Sequence, residues 1–261
     1  MQKIKAGLTG FILGDWLGMP YRGKGKGTFR PVRTKSYLRG GKCSGNTSLL
    51  LCALDSRCDL VLYRQNLKEW CFHKKYTGEH IEFDVDSVIR KSVMTNFRAV
   101  SSDAHSGNRS LMGCCVLAFT SLSREEILPF VKATHNCRYN AKYTCFFIEL
   151  IRELLRGEQK EHALRRVERK CDVCVNRQNF SNGNFVVDTV ESVVNCFMAG
   201  NNYAECVFLA INSGKSSDAV GALTGLLAGL YYGVGLTNGV KDFGMMEAYI
   251  DSFLLYLRST L

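Results

Sequence analysis

"AINSGKSSDAVGALTGLLAGLYYG", residues 210–233, decides how the chain is read. Gly214-Lys215-Ser216 has the ending of a phosphate-binding P-loop, G-x-x-x-x-G-K-[ST]. That motif needs its leading glycine at position 209, which is Leu209. It also needs a strand in front. The preceding "NNYAECVFLAIN" instead has helical spacing, with Tyr203, Val207, Leu209, Ala210 and Ile211 biased to one side. The stretch therefore reads as helix, short loop, helix. Residues 219–236 carry no charge and just meet the length of a membrane span, about 18 residues. Their glycines at 221, 225, 229, 233 and 235 favour a helix buried on all sides, where neighbouring backbones approach closely.

Working outward, most of the chain has helical spacing. Residues 4–18 form an apolar helix ending in "GDWLG". A second begins near Asn46 or Thr47 and runs through "SLLLCALDSRCDLVLY". Ser123 and Glu126 form a capping box before "ILPFVKATH". A helix over 139–156 stops at Gly157, and "VVDTVESVVNCFMAG" stops at Gly200. Helices over 203–212, 218–234 and 244–258 complete the set. Strand-like alternation is scarce. The expected fold is all-α: an orthogonal helical bundle in a single domain, 1–261.

The chain has 261 residues, 46% of them hydrophobic, enough for a sizeable core. Its net charge of +10 permits nucleic acid, an anionic surface or an anionic small ligand as partner. Part of the excess lies in "YRGKGKGTFRPVRTKSYLRGGK", residues 21–42, which holds no acid. That run reads as a solvated basic loop or as a basic cover over an anionic ligand. Tyr21, Phe29 and Tyr37 within it would suit base stacking, although no recognisable nucleic-acid module accompanies them. The 12 cysteines and the lack of a signal-like start point to reduced thiols in the cytoplasm. "CDVC", Cys171 to Cys174, lacks a second ligand pair for zinc. Cys43 as a nucleophile would need a base, and no histidine is near it in sequence.

Six segments, in order, carry a resemblance. They are "AGLTGFILGDWLGMPYR", "CSGNTSLLLCALDS" (43–56), "FDVDSVIRKSV" (83–93), "SGNRSLMG" (106–113), "ATH" (133–135) with "NFVVDTVESVVNCF" (184–197), and the opening stretch. Together they resemble the ADP-ribosylglycohydrolase family, with its G-D-x-L-G-x-P-x-E, W-T-D-D-T, F-D-x-G, G-N-G-x-x-M-R and N-x-G-G-D-T-D-T-x-G-A motifs. The resemblance implies an all-α fold. It also implies a site where two magnesium ions, held by the T-D-D and D-T-D segments, orient the ribose hydroxyls and activate water.

The carboxylates of that pattern are mostly replaced. Ser44, Gly45 and Asn46 stand at T-D-D, before Thr47. Lys215, Ser216, Ser217, Asp218 and Ala219 stand at G-D-T-D-T. Arg22 replaces the glutamate, and Arg109 and Gly113 replace a glycine and an arginine. Only Asp218 remains among these positions. Two positive charges within ~6 Å of a metal would repel it by several kcal/mol at an effective dielectric near ~20. No magnesium cofactor is expected, with a single weak ion on Asp218 and Ser44 as the residual alternative.

The resemblance thus implies a catalytically degenerate protein that binds an ADP-ribose-like or nucleotide ligand, or a protein partner. Lys215 and Arg22 would act as fixed cations in place of the metals. The expected ligand-binding set is Arg22, Ser44, Asn46, Thr47, Gly107, Asn108, Arg109, Ser110, His135, Lys215, Ser216, Ser217 and Asp218. The alternative is an active hydrolase with a remodelled site, Asp218 as its catalytic residue and an ADP-ribosylated protein as substrate. A third class is an interaction protein whose pocket is closed by Arg109 or Trp16. Individual residues also have plain structural readings. Asp218, Ser44, Asn46 or Thr47 could cap helices, Asp15 could organise a helix end, and His135 could be a buried, hydrogen-bonded core residue.

Overall fold

The structure is a computed structural model and describes residues 1–33, 42–98, 102–234 and 244–260. Tyr37 of the basic run, and the end of the uncharged 219–236 stretch, lie outside the described residues. Twelve α-helices follow one another: α1 Gln2–Gly18, α2 Gly45–Asp55, α3 Leu60–His73, α4 Ser87–Met94, α5 Arg109–Cys114, α6 Arg124–Thr134, α7 Arg138–Leu155, α8 Lys160–Cys171, α9 Val186–Ala199, α10 Tyr203–Asn212, α11 Ser217–Tyr232 and α12 Gly244–Thr260. Among the described residues there is no sheet, only isolated bridges such as Gly107 to Phe185. The fold is all-α, as expected.

α1 and α11 form the axis. They run antiparallel with backbones in contact. A Cβ at Gly10 would strike the carbonyl of Gly225, and one at Gly14 the carbonyl of Gly221. Glycine is used here because only a hydrogen fits between the two helices. Tyr203 of α10 donates its hydroxyl to Gly10 O at 2.8 Å, which ties the third helix to this seam. Phe11, Leu13, Leu226 and Leu227 are buried around it. α11 is core, and no described helix is long and apolar enough to cross a membrane. The antiparallel pairing also fixes the site. It brings the last turn of α1, with Asp15, to the first turn of α11, with Asp218.

Most helix boundaries match the spacing. Ser123 accepts from Glu126 N and Glu126 accepts from Ser123 N, completing the capping box of α6. Gly157, at φ 89°, ends α7. Leu209 is an exception to the α10 stripe, since it is exposed.

The single helix expected from residue 47 to Tyr63 is two. Arg57 and Cys58 adopt left-handed conformations, and Asp59 caps α3 by accepting from Leu62 N at 2.8 Å. Ser56 returns its hydroxyl to Ala53 O, so short polar side chains give the backbone an alternative to helix here. α8 escaped the sequence reading because its buried stripe is narrow, being only Ala163, Leu164 and Val167. All 12 cysteines are free thiols.

Candidate functional site

Beside the α1–α11 seam lies a cleft of about 680 Å³. Its wall is built from the start of α11, the start of α2, and the loops that precede α4, α5 and α9.

The deepest layer is Asp15, which is fully buried. Its carboxylate accepts from Ser44 N and Oγ at 2.9 and 2.7 Å, and from Thr47 N and Oγ1 at 3.2 and 2.6 Å. Asn46 Nδ2 adds a fifth bond at 3.2 Å. Ser44 itself caps α2, accepting from Asn46 N. Asp15 therefore sits against a helix N-terminus, where backbone N–H groups favour an anion. Its pKa is raised to about 6, by burial first and the Asp218 charge second, with the Thr47 and Ser44 bonds partly offsetting both. The expected role of Asp15, organising a helix end, is what the contacts show.

Asn46 is the bridge to the next layer. Its second Nδ2 hydrogen reaches Asp218 Oδ2 at 3.2 Å. The same carboxylate oxygen receives Arg22 Nη1 at 3.3 Å. Arg22 Nη1 also reaches Asp84 Oδ2 at 2.5 Å, and Arg109 Nη2 reaches that oxygen at 2.6 Å. Arg109 Nε lies 3.8 Å from Asp86. Burial alone would raise the Asp84 pKa, but the two guanidiniums more than offset it and hold the carboxyl below its usual value. Asp86 is engaged as well, as the cap of α4.

Gly45 makes room for this arrangement. A Cβ there would overlap the carbonyl of Asp84 and lie 2.7 Å from Arg109 Nη1. The chain at 84 and the guanidinium of 109 both rest against the bare backbone of α2.

Several expectations are corrected by these contacts. Asp218 is not a helix cap, because it lies inside the first turn of α11 and faces Asn46 and Arg22. It is not the sole carboxylate of the site, since Asp84 and Asp86 line the same cleft and Asp15 lies under it. Arg22 is not a free cation, being shared by two carboxylates. Ser44, Thr47, Ser110 and Ser217 do not reach the cleft. The first two serve Asp15, Ser110 bonds Thr144 and Asn140, and Ser217 donates to Gly18 O. Ser44 gives its hydroxyl hydrogen to Asp15 and does not line the cleft beside Asp218. Trp16 is buried outside the cleft.

Arg22, Asn46, Gly107, Asn108, Arg109, His135, Lys215, Ser216 and Asp218 do line the cleft together. Lys215 adopts φ 50° in the α10–α11 loop, where its N–H donates to Lys24 O at 2.6 Å and its side chain is exposed. Ser216 donates to Asn184.

His135 is buried but not hydrogen-bonded through Nδ1. Burial drives its pKa down to about 4, against the pull of Asp86 and with a push from Arg109, so the ring is neutral at pH 7. Three further atoms on this lining are buried without a partner: Asn46 Oδ1, Arg109 Nη1 and Asn182 Oδ1. Orphaned buried polar atoms are rare in folded proteins, and these four share one cleft.

The sequence reading missed Asn182, and gave no role to Asp84, Asp86, Asn184 or Phe185 although its matched segments contain all four. The only signal for Asp84 was its place in the F-D-x-G segment. Phe185, half-buried and edge-on to Tyr139 at 5.4 Å, offers a ring at the cleft. Among the described residues no three His, Cys, Asp or Glu side chains converge as a metal site would require.

Comparison with known proteins agrees with this architecture. Over 89% of this chain and 72% of the relative, it is 25% identical to ADP-ribosylarginine hydrolase Tri1 of Serratia proteamaculans. Over 51% of this chain and 48% of the relative, it is 27% identical to ADP-ribosyl-(dinitrogen reductase) glycohydrolase of Rhodospirillum rubrum. A solved structure described as an ADP-ribosylglycohydrolase-related protein complex superposes with a TM-score of 0.80 at 25% identity, covering 98% of each chain. The profile of the ADP-ribosylglycohydrolase family matches residues 1–238. With the segment order, the fold and the match across most of its length in agreement, this chain belongs to the ADP-ribosylglycohydrolase family.

Proposed function

We propose that this chain is a catalytically degenerate family member that binds an ADP-ribose-like or nucleotide ligand with its own side chains and without a pair of magnesium ions. The observation that carries this is the engagement of three carboxylates at the cleft by the protein's own donors. Asp84 holds Arg22 and Arg109, Asp218 holds Arg22 and Asn46, and Asp15 holds Ser44, Asn46 and Thr47.

Magnesium demands near-octahedral oxygen coordination at about 2.1 Å. Here guanidinium nitrogens occupy the space between the carboxylates, and positions 44 to 46 offer hydroxyl, hydrogen and amide. The residues do not fit the metal pair. Glycosidic hydrolysis also needs a carboxylate free to activate water. Asp84, ion-paired and held below its usual pKa, is a poor base.

Binding is better served. Asn46 Oδ1 and Asn182 Oδ1 lack donors and suit ribose hydroxyls. Arg109 Nη1 and Lys215 suit phosphate. Phe185 offers a face to a base. Buried, reduced thiols fit a reducing compartment, the cytoplasm.

Calorimetric titration with ADP-ribose, in magnesium and again in EDTA, tests the reading. The expected result is equal affinity in both buffers, weakened about tenfold or more by Lys215→Asp. Affinity that appears only with magnesium would sink it. So would release of ADP-ribose from an ADP-ribosylarginine peptide, which would favour the second reading. That reading is an active hydrolase acting on an ADP-ribosylated protein, and the several carboxylates on one cleft speak for it.

A further inference from the structure

Some basic residues of the surface are balanced by acids. Lys5, Lys75, Arg138, Arg152, Arg156 and Lys170 each have a carboxylate partner. The segment from Gly23 to Arg33 concentrates cations that have no such partner. Lys24, Lys26, Arg30 and Arg33 are exposed, and among the described residues none of the four is in an ion pair. No acid occurs anywhere in the segment.

This is a placed surface. Gly23 N donates to Lys215 O at 2.8 Å, and Lys215 N to Lys24 O at 2.6 Å. Farther along, the Asn212 amide grips Val32 from both sides, accepting from its N–H at 2.8 Å and donating to its carbonyl at 3.0 Å. Val32 is buried beneath the segment, and the Tyr21 and Phe29 rings stack with centroids 4.7 Å apart. The segment is thus a strap tied to the α10–α11 loop. It starts at the cleft wall, because Arg22, Gly23 and Lys215 all line the cleft.

We propose that this strap, with Lys215 at its cleft end, is a docking surface for single-stranded nucleic acid. Four uncompensated cations on a tied backbone match a chain that carries one phosphate per nucleotide. The Tyr21 and Phe29 rings, tilted by 36° to each other and only half-buried, leave ring surface of the kind on which bases stack. A lipid surface is a poorer match. Val32 points inward and Tyr21 and Phe29 pack against each other, which leaves Pro31 as the strap's one exposed apolar residue to insert. An acidic peptide would use the cations but not the rings. The strap leads into a cleft large enough for a nucleotide, so a bound strand would run toward it. The inference goes beyond the ligand-binding reading and needs no ligand in the cleft.

Fluorescence anisotropy with labelled single strands of about 12 nucleotides, titrated at about 50 to about 200 mM salt, tests it. The expected result is saturable binding whose log–log salt slope is near −3, from four to five phosphate contacts at about 0.7 each. A variant carrying Lys24→Glu, Lys26→Glu, Arg30→Glu and Arg33→Glu should lose about 100-fold in affinity. The milder set with glutamine at the same positions should lose less and keep the same order. ADP-ribose titration of the same variants should be unchanged, which separates failure of the strap from failure of the cleft. Three outcomes would overturn the proposal: no saturable binding at the lowest salt, equal affinity in the variants, or equal competition by polyglutamate per unit charge.

Discussion

Gly14 and Asp15 are neighbours on α1, yet the regions they belong to are held by opposite physics. Gly14 faces the carbonyl of Gly221 across a seam with no side chain in it. Asp15 faces five donors across a layer made only of side-chain and backbone polarity. The seam has no room for an added atom. The cleft floor is set by charge instead, since its carboxylates are engaged by donors of the chain while Arg109 Nη1 beside them keeps no acceptor among the described residues. One region is specified by volume and the other by balance.

The comparison breaks most visibly at the seam. Gly14→Val should push α1 off α11 and cost more than ~4 kcal/mol, leaving little folded protein in thermal denaturation. Gly78→Ala is the control. A Cβ there meets nothing within 4 Å, so a change below ~0.5 kcal/mol is expected. Equal losses in the two variants would mean that the seam is not tight.

The balance of the cleft floor shows next, through pH. The Asp15 pKa is raised to about 6 in the fold against 3.8 for an unperturbed aspartate, so between these values the folded state binds the proton and the unfolded state does not. Its contribution to stability is full below the unfolded value and is lost as pH rises through the folded one. The loss is on the order of 3 kcal/mol. Urea denaturation at pH 4.5 and pH 7 should show Asp15→Asn lacking this component. The difference between wild type and variant should thus move against the wild type as pH rises. Asp84 has the opposite sign, because its lowered pKa contributes stability above the unfolded value that fades as pH falls. Parallel wild-type and Asp15→Asn profiles would refute the assignment.

The smallest effects sharpen the picture. The Arg22 side chain is 34% exposed, and both of its carboxylates keep another donor, so Arg22→Ala should cost about 1 kcal/mol or less. The Arg109 side chain is 13% exposed and packs against Gly45, so Arg109→Ala should cost more, about 2 kcal/mol. Reversal of that order in chemical denaturation would show that the outer guanidinium holds the floor.

How much of this could be read beforehand follows the same division. The seam was legible because Gly221, Gly225 and Gly229 recur at a helical interval within an uncharged run, and such a pattern has few solutions. The polar positions were legible as a set of substitutions, through segment order. Their partners were not. Arg22 looked like an unpaired cation because Asp84 is 62 residues away, and nothing in "FDVDS" says that its first aspartate turns toward α2. Asn182, Asn184 and Phe185 belong to an irregular loop with no periodicity to announce them. The break between α2 and α3 was hidden because the apolar pattern continues across it while Ser56 and Asp59 divert the backbone.

Gly45 makes two distant segments depend on one another. With the Asp84 carbonyl and the Arg109 guanidinium resting on its bare backbone, no side chain can be added at 45 until the 84 loop and residue 109 have both moved. Through that one hydrogen, position 45 couples the loop before α4 to the start of α5, so a shift in either is felt by the other across the N-terminus of α2.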